Sequence, residues 1–420
     1  MIVCRESVAV PIPVAGSSSA TGTVRRSFPT SVPAIFYTTL HRIVYSISCL
    51  NQYNERWWEW RCLSRTEIHL EGTMARNTVH DDLKVVCRLG VPEDPLIIPI
   101  MDPLGAHLAG FTYEDYSTRP EAMEGAWSSA VEYFDIDWAG MCIDDLFEYE
   151  PLGIEVTNAP DLPFAVAKYL PATEDTLSGL RLPDPTREGR MPAHLEAEKR
   201  LRDRWGDAIL VAGSAAAPFS GLTLLYGIEQ TMLLLYDNPD FLRRSMRFVG
   251  DLAITWGQAI LDAGGDVIWL GDCSASSRFV PVNVYREVCL EPARRVAAAL
   301  KDAGATVIYH AGENRLPHLE AMAEVGADIL SVEAGPNMGE VKNAIGDRVA
   351  LSGNLDSINT LWHGTEEEIE AAVSKLITEV AGRGGYIVNT GENTPEQTPP
   401  EHLEAMIRSI REGWKLIQFA

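Results

Sequence analysis

Short apolar runs punctuate the chain from Met74 onward, and most end on a polar residue beside a Gly, an Asn or an acid. They are Leu96–Met101, Ala139–Ile143, Ala208–Ala212, Asp266–Leu270, Ala305–Tyr309, Asp328–Val332, Arg348–Leu351 and Gly385–Asn389. Each has the length of a buried strand. Between most of them the apolar positions recur at helical spacing, over Glu121–Phe134, Ala193–Trp205, Phe241–Ala263, Glu366–Ala381 and Glu401–Gln418. Thr365-Glu366-Glu367-Glu368 reads as a capping box at the start of one of these helices. Strands alternating with helices predict the α/β class with a parallel sheet, and eight such units predict a closed (β/α)8 TIM barrel. In a barrel of that kind chemistry sits at the C-terminal ends of the strands. The residues just after each run are therefore the ones to read for function.

Two connections stand out. The stretch Glu148–Arg190, rich in prolines, is long for a loop and reads as a lid or substrate-covering excursion. Gly213-Ser214-Ala215-Ala216-Ala217-Pro218 is made of small residues. It reads either as room for a ligand to approach the backbone or as a tight strand-to-helix turn.

Composition narrows the function classes. A net charge of −24 argues against nucleic acid and anionic membrane surfaces as partners, since both select basic protein surface. The cysteines show no CxxC pair, and Cys142, Cys273 and Cys289 read as reduced thiols of a cytoplasmic protein. Residues 1–73 differ in kind. They hold no Asp or Lys and carry seven Arg against five Glu, so the remaining residues carry −26. This leader reads as upstream sequence ahead of a second start at Met74, with residues 74–420 forming the whole barrel. Its apolar stretch Pro33–Leu50 is interrupted by His41 and Arg42 and is too short and polar for a membrane helix.

At the ends of the predicted strands stand Asp272, Tyr309, His310, Glu313, Glu333, Asn354, Asn389 and Glu392. A His among several carboxylates matches the ligand chemistry of zinc or another divalent ion. Each also has a plainer reading: a strand-end His as a hydrogen-bonded barrel residue, and Asp272 or Glu333 as helix caps. Asp135, Asp137 and the Glu366–Glu370 run read as solvated charges. No phosphate-binding glycine loop, Gly-x-Ser-x-Gly elbow or His-Glu-x-x-His helix is present in the sequence.

Across His310–Asn314, Leu330–Glu333, Ile345–Asp356 and Asn389–Pro400, the sequence resembles the uroporphyrinogen decarboxylase superfamily, with likeness from about Leu96 to the C-terminus. The resemblance implies a (β/α)8 barrel and one of two chemistries, tetrapyrrole decarboxylation or corrinoid-dependent methyl transfer. The decarboxylases carry two arginines just after the first strand, where the loop Met101–Gly110 here has none. They also place a His in the last-strand turn, where this chain has Glu392. The methyltransferases bind zinc through a His-x-Cys pair and a later Cys; this chain keeps His310 but has Gly312 and Glu392 at the thiolate positions.

The resemblance implies an altered zinc site on His310, Glu313, Glu333 and Glu392. It gives His310, Glu392 and Asp272 catalytic roles, and Asn354, Asn389 and Tyr309 substrate contacts. A His/carboxylate set leaves zinc more electrophilic than thiolates do, which suits polarising the oxygen of an O-methylated donor. The expected partners are a small-molecule methyl donor and a separate corrinoid protein carrying cobalamin, with a homodimer as an admissible assembly. A uroporphyrinogen decarboxylase-type lyase and a non-catalytic ligand-binding barrel stand as alternatives.

Overall fold

The computed structural model describes residues 78–140, 144–159 and 162–418. The leader reading, Cys142 and the end of the second run lie outside these residues. Those described form one compact unit within Ala75–Ala420.

Its centre is a seven-stranded parallel sheet in the order β1-β4-β5-β6-β7-β8-β9. The strands are β1 (Trp138–Gly140), β4 (Leu210–Ala216), β5 (Val267–Gly271), β6 (Thr306–His310), β7 (Ile329–Val332), β8 (Ala350–Leu355) and β9 (Tyr386–Thr390). Each corresponds to a predicted run, from the second to the eighth. Buried along nearly their whole length, they read as continuous apolar stretches, as parallel strands covered on both faces do.

The first run, Leu96–Met101, lies between the two edges of this sheet but forms no ladder. Ile97 O accepts from Asp137 N at 2.8 Å, on the β1 side. Ile98 O accepts from the Asn389 side chain at 2.9 Å, and Ile100 O from Thr394 N at 2.7 Å, on the β9 side. Pro95 and Pro99 have no N–H to give, so this eighth stave is held by single bonds and side chains. The (β/α)8 architecture is present, with its first strand reduced to an extended segment.

A repeated device fixes the lower rim. Asp137, Asp266 and Asp328 each precede a strand, and each carboxylate accepts a backbone N–H from the preceding stave. The donors are Ile97 at 2.6 Å, Val211 at 2.9 Å and Val307 at 3.0 Å. Asp137 is thus a staple between staves, which corrects its reading as a solvated charge. A charge-assisted bond of this sort, partly buried, contributes about 1.5–3 kcal/mol.

The predicted helices form at Pro120–Phe134, Met191–Trp205, Pro239–Asp262, Glu366–Glu379 and Pro400–Gln418. Thr365 makes the expected capping box with Glu368. A Cβ at Gly213 would lie 2.7 Å from Ile260, so this glycine admits the helix Pro239–Asp262 and not a ligand. The long excursion is structured: an antiparallel hairpin, β2 (Glu155–Ala159) with β3 (Leu162–Lys168), then a short helix Glu174–Gly179. Arg190 ties its end to the barrel by pairing with Asp144 at 3.0 Å and Glu150 at 2.6 Å.

Candidate functional site

His310 ends β6 at the barrel mouth, with its side chain buried. The ring is fixed from three directions. Nδ1 lies 3.0 Å from Ser331 Oγ on the neighbouring strand β7. Nε2 lies 3.6 Å from Glu392 Oε2, an ion-pair distance, in the loop after β9. The indole of Trp269, on β5, tilts against the ring with centroids 4.9 Å apart. Burial alone would discharge the imidazole, but the Glu392 carboxylate and the Cys273 side chain outweigh it and raise its pKa to about 10. Reciprocally, Glu392 is held below the usual carboxylate range: burial pushes it up, and His310 and Arg278 more than offset that. The pair is therefore charged at neutral pH, with an acidic N–H at the mouth.

Arg278 completes this side. It lies in the loop after β5, and its guanidinium pairs with Glu333 at the end of β7. Sequence reading missed it, and no motif marks it. The only cue was a basic residue within ten positions of a strand end in an acidic chain. Burial raises the pKa of Glu333, against the pull of Arg278.

The remaining expected site residues are turned to other tasks. Asp272 is fully buried; Oδ1 accepts from Ser220 N at 3.1 Å and Oδ2 from the Tyr309 hydroxyl at 2.6 Å. Ser220 lies in the first turn of the helix Pro218–Tyr226, so Asp272 caps a helix that precedes it in the chain, not the next one as its plainer reading had it. Tyr309 is equally buried, with its hydroxyl also 3.2 Å from that of Tyr285. Glu313 accepts from Ser277 N at 2.6 Å, Ser277 Oγ at 2.9 Å, Asn314 N at 2.8 Å and Arg315 N at 2.7 Å. It pins the Arg278 loop onto the loop after β6. Asn354 donates to Pro336 O at 3.0 Å, and Asn389 bridges to the first stave. The structure gathers His310, Glu333 and Glu392, and leaves Asp272, Tyr309, Glu313, Asn354 and Asn389 as scaffold around them.

A zinc ion requires donors about 2.0–2.2 Å from one point, with lone pairs free. Glu313 has spent its oxygens on backbone and Ser277, and Glu333 is engaged by a guanidinium. His310 is placed as a protonated ring between Ser331 and Glu392. Among the described residues no three His, Cys, Asp or Glu side chains are arranged to share an ion. The residues present do not fit the zinc set that the resemblance implied.

Across the mouth lie acids that sequence reading passed over. Asp102, at the end of the first stave, is fully buried; Oδ1 accepts from the Tyr116 hydroxyl at 3.2 Å and Oδ2 has no partner. Burial raises its pKa to about 7. Glu148, also fully buried, accepts from Ala216 N at 3.3 Å, and burial lifts it well above the ordinary value. Burial likewise brings Asp272 to about 6.

No helix among the described residues is long and apolar enough to cross a membrane. The first relative, the methylcobamide:CoM methyltransferase MtbA of Methanosarcina mazei, is 29% identical over 227 residues, 53% of this chain. The match spans 64% of that relative's length. The methylcobamide:CoM methyltransferase MtaA of Methanosarcina barkeri is 26% identical over 317 residues, 74% of this chain and 88% of its own. A uroporphyrinogen decarboxylase of Geobacter sulfurreducens is 24% identical over 336 residues, 76% of this chain and 95% of its own. A solved methyltransferase from Methanosarcina mazei shares the fold with a TM-score of 0.73 at 21% identity, covering 80% of this chain and 98% of that one. The family model for uroporphyrinogen decarboxylase (URO-D) matches residues 88–413, and the chain belongs to that family.

Proposed function

We propose that this protein transfers a methyl group from a small O-methylated compound to a corrinoid carried on a separate protein, with His310 as the acid that releases the donor oxygen. The observation that carries the reading is the charged imidazole at the mouth, together with a segment after the first stave, Met101–Gly110, helical over Asp102–Leu108, that contains no arginine. A site for a polycarboxylate would need cations in that segment. The methylcobamide:CoM methyltransferases among the relatives support the reading.

The chemistry follows from one proton. Cobalt in its reduced, Co(I) state attacks the methyl carbon and supplies both electrons of the new bond. The carbon–oxygen bond breaks, its electron pair stays on oxygen, and that oxygen takes the His310 proton to leave as a free hydroxyl. The neutral ring then regains a proton from solvent, a step Glu392 favours. Ser331 and Trp269 hold the ring plane while this happens.

Aryl methyl ethers are the donors to test first, because a phenol, with a pKa near 10, leaves more readily than an alcohol. General acid help of this kind contributes about 10²–10⁴-fold in rate. The direct test is incubation of purified protein with methoxylated aromatics and cob(I)alamin, followed by the methylcobalamin spectrum. Absence of transfer from every methoxylated donor would sink the reading, and carbon dioxide released from a porphyrinogen carboxylate would favour the lyase instead.

A further inference from the structure

Four loops meet beside His310, and their geometry is built around a cation the protein supplies itself. Gly312, with φ +55°, turns the chain just after β6. A Cβ placed there would lie 2.6 Å from Glu392 Oε1 and 3.8 Å from an Arg278 nitrogen. The bare turn is thus the seat of the Glu392 carboxylate, and any side chain at 312 would displace it. From the loop after β5, Arg278 reaches over the same turn and pairs with Glu333. The turn after β9 packs directly on the end of β7, where a Cβ at Gly391 would come within 2.7 Å of Glu333 Cα. That packing keeps the two glutamates side by side.

The guanidinium of Arg278 thus stands between the two carboxylates, paired with Glu333 and close to the seat of Glu392. One carboxylate oxygen, Glu333 Oε2, is buried without a partner. It would be a ready ligand if the guanidinium were absent.

We infer that Arg278 is the resident cation of this mouth: it occupies the role of a divalent ion, excludes one, and positions Glu333 and Glu392 beside His310. It is a positioning residue, since it acts on His310 through the glutamates. A guanidinium brings directed donors and a fixed single charge, and no lone pair or vacancy for substrate.

The test is zinc binding, which does not depend on methyl transfer. Full-length protein expressed with added zinc and dialysed is assayed for metal, beside Arg278→Gln and Arg278→Lys, with circular dichroism confirming that each is folded. Arg278 is about half exposed (46%), so the substitutions leave the core intact. The wild type and Arg278→Lys are expected to hold only trace zinc. Arg278→Gln, with Glu333 freed, is expected to bind zinc at least about tenfold more tightly than wild type. The alkaline limb of any His310-dependent activity should shift in Arg278→Gln and return in Arg278→Lys. Stoichiometric zinc in the wild type would overturn the inference, and so would a folded Arg278→Gln variant that binds zinc no better than wild type. If the inference survives and no donor is demethylated, the reaction assigned above is wrong but the cation site stands.

Discussion

Around the ends of β6, β7 and β9, the two acids beside His310 each have a cation: Glu392 faces His310 and Glu333 faces Arg278. Around the first stave, β4 and β5, the acids Asp102, Glu148 and Asp272 are buried deeper, and among the described residues none forms an ion pair. The two sides meet the same cost, that of taking a carboxylate out of water, in opposite ways. One side supplies a counter-charge and keeps its groups ionised. The other has no counter-charge, and burial raises the carboxyls instead, to about 7 for Asp102 and about 6 for Asp272, so that they take up protons only as pH falls toward those values. Acidity in the sequence therefore says little about charge at the site. The position of a single histidine and a single arginine decides which half of the mouth is ionic.

The largest expected effect tests the ionic half. His310→Ala should lower methyl transfer by about 10²–10⁴-fold while leaving the far-ultraviolet dichroism unchanged. A smaller loss, with the pH profile intact, would mean that the proton comes from elsewhere.

Glu392→Gln comes next. Without the carboxylate only the Cys273 side chain opposes burial, so the His310 pKa should fall from about 10 toward its ordinary 6.5. Each unit of that fall corresponds to about 1.4 kcal/mol of lost charge stabilisation. Imidazole resonances followed by NMR against pH would show it. The sign for stability follows from linkage. The raised His310 contributes stability fully present below its unfolded pKa and lost as pH rises through about 10. The depressed Glu392 contributes stability present above its unfolded pKa and lost as pH falls through its lowered one. The pair thus stabilises across the neutral range, and the variant should lose that plateau.

The half without counter-charges predicts the reverse slope. A carboxyl with a raised pKa keeps its proton in the folded state where the unfolded chain has lost it. Asp102 should therefore cost stability increasingly as pH rises from about 4 through about 7. Asp102→Asn should raise the free energy of unfolding at pH 8 by on the order of 1 kcal/mol or more, read from urea melts, with the gain shrinking toward pH 4. Equal gains at both pH values would contradict the protonated reading. The smallest effect is a control away from both halves. Thr365→Ala removes the capping box of Glu366–Glu379 and should cost about 1 kcal/mol of stability with unchanged turnover, read from urea melts.

Most of the barrel was legible because strand burial and helical spacing leave strong periodic marks. Seven runs became strands, and the capping box at Thr365 formed as read. The first run kept its place but not its ladder, since Pro95 and Pro99 removed donors and the Asn389 side chain took up one acceptor. His310, Glu333 and Glu392 could be placed together from their strand ends. What the sequence could not show was where each oxygen points. Asp272 and Glu313 stand as near to strand ends as Glu333 does, yet one caps a helix and the other ties loops. Arg278 was missed because its contribution depends on a loop folding back over a glycine, a contact without periodicity. Asp137 looked solvated for the same reason: its partner Ile97 lies 40 residues away in the chain.

The most direct measurement is methyl transfer to cob(I)alamin from a methoxylated aromatic, using wild-type protein freed of metal by a chelator. The account predicts that methylcobalamin forms at an undiminished rate and that His310→Ala, treated alike, loses it. Transfer abolished by the chelator and restored by zinc would contradict the account, placing a metal where His310 and Arg278 are argued to suffice.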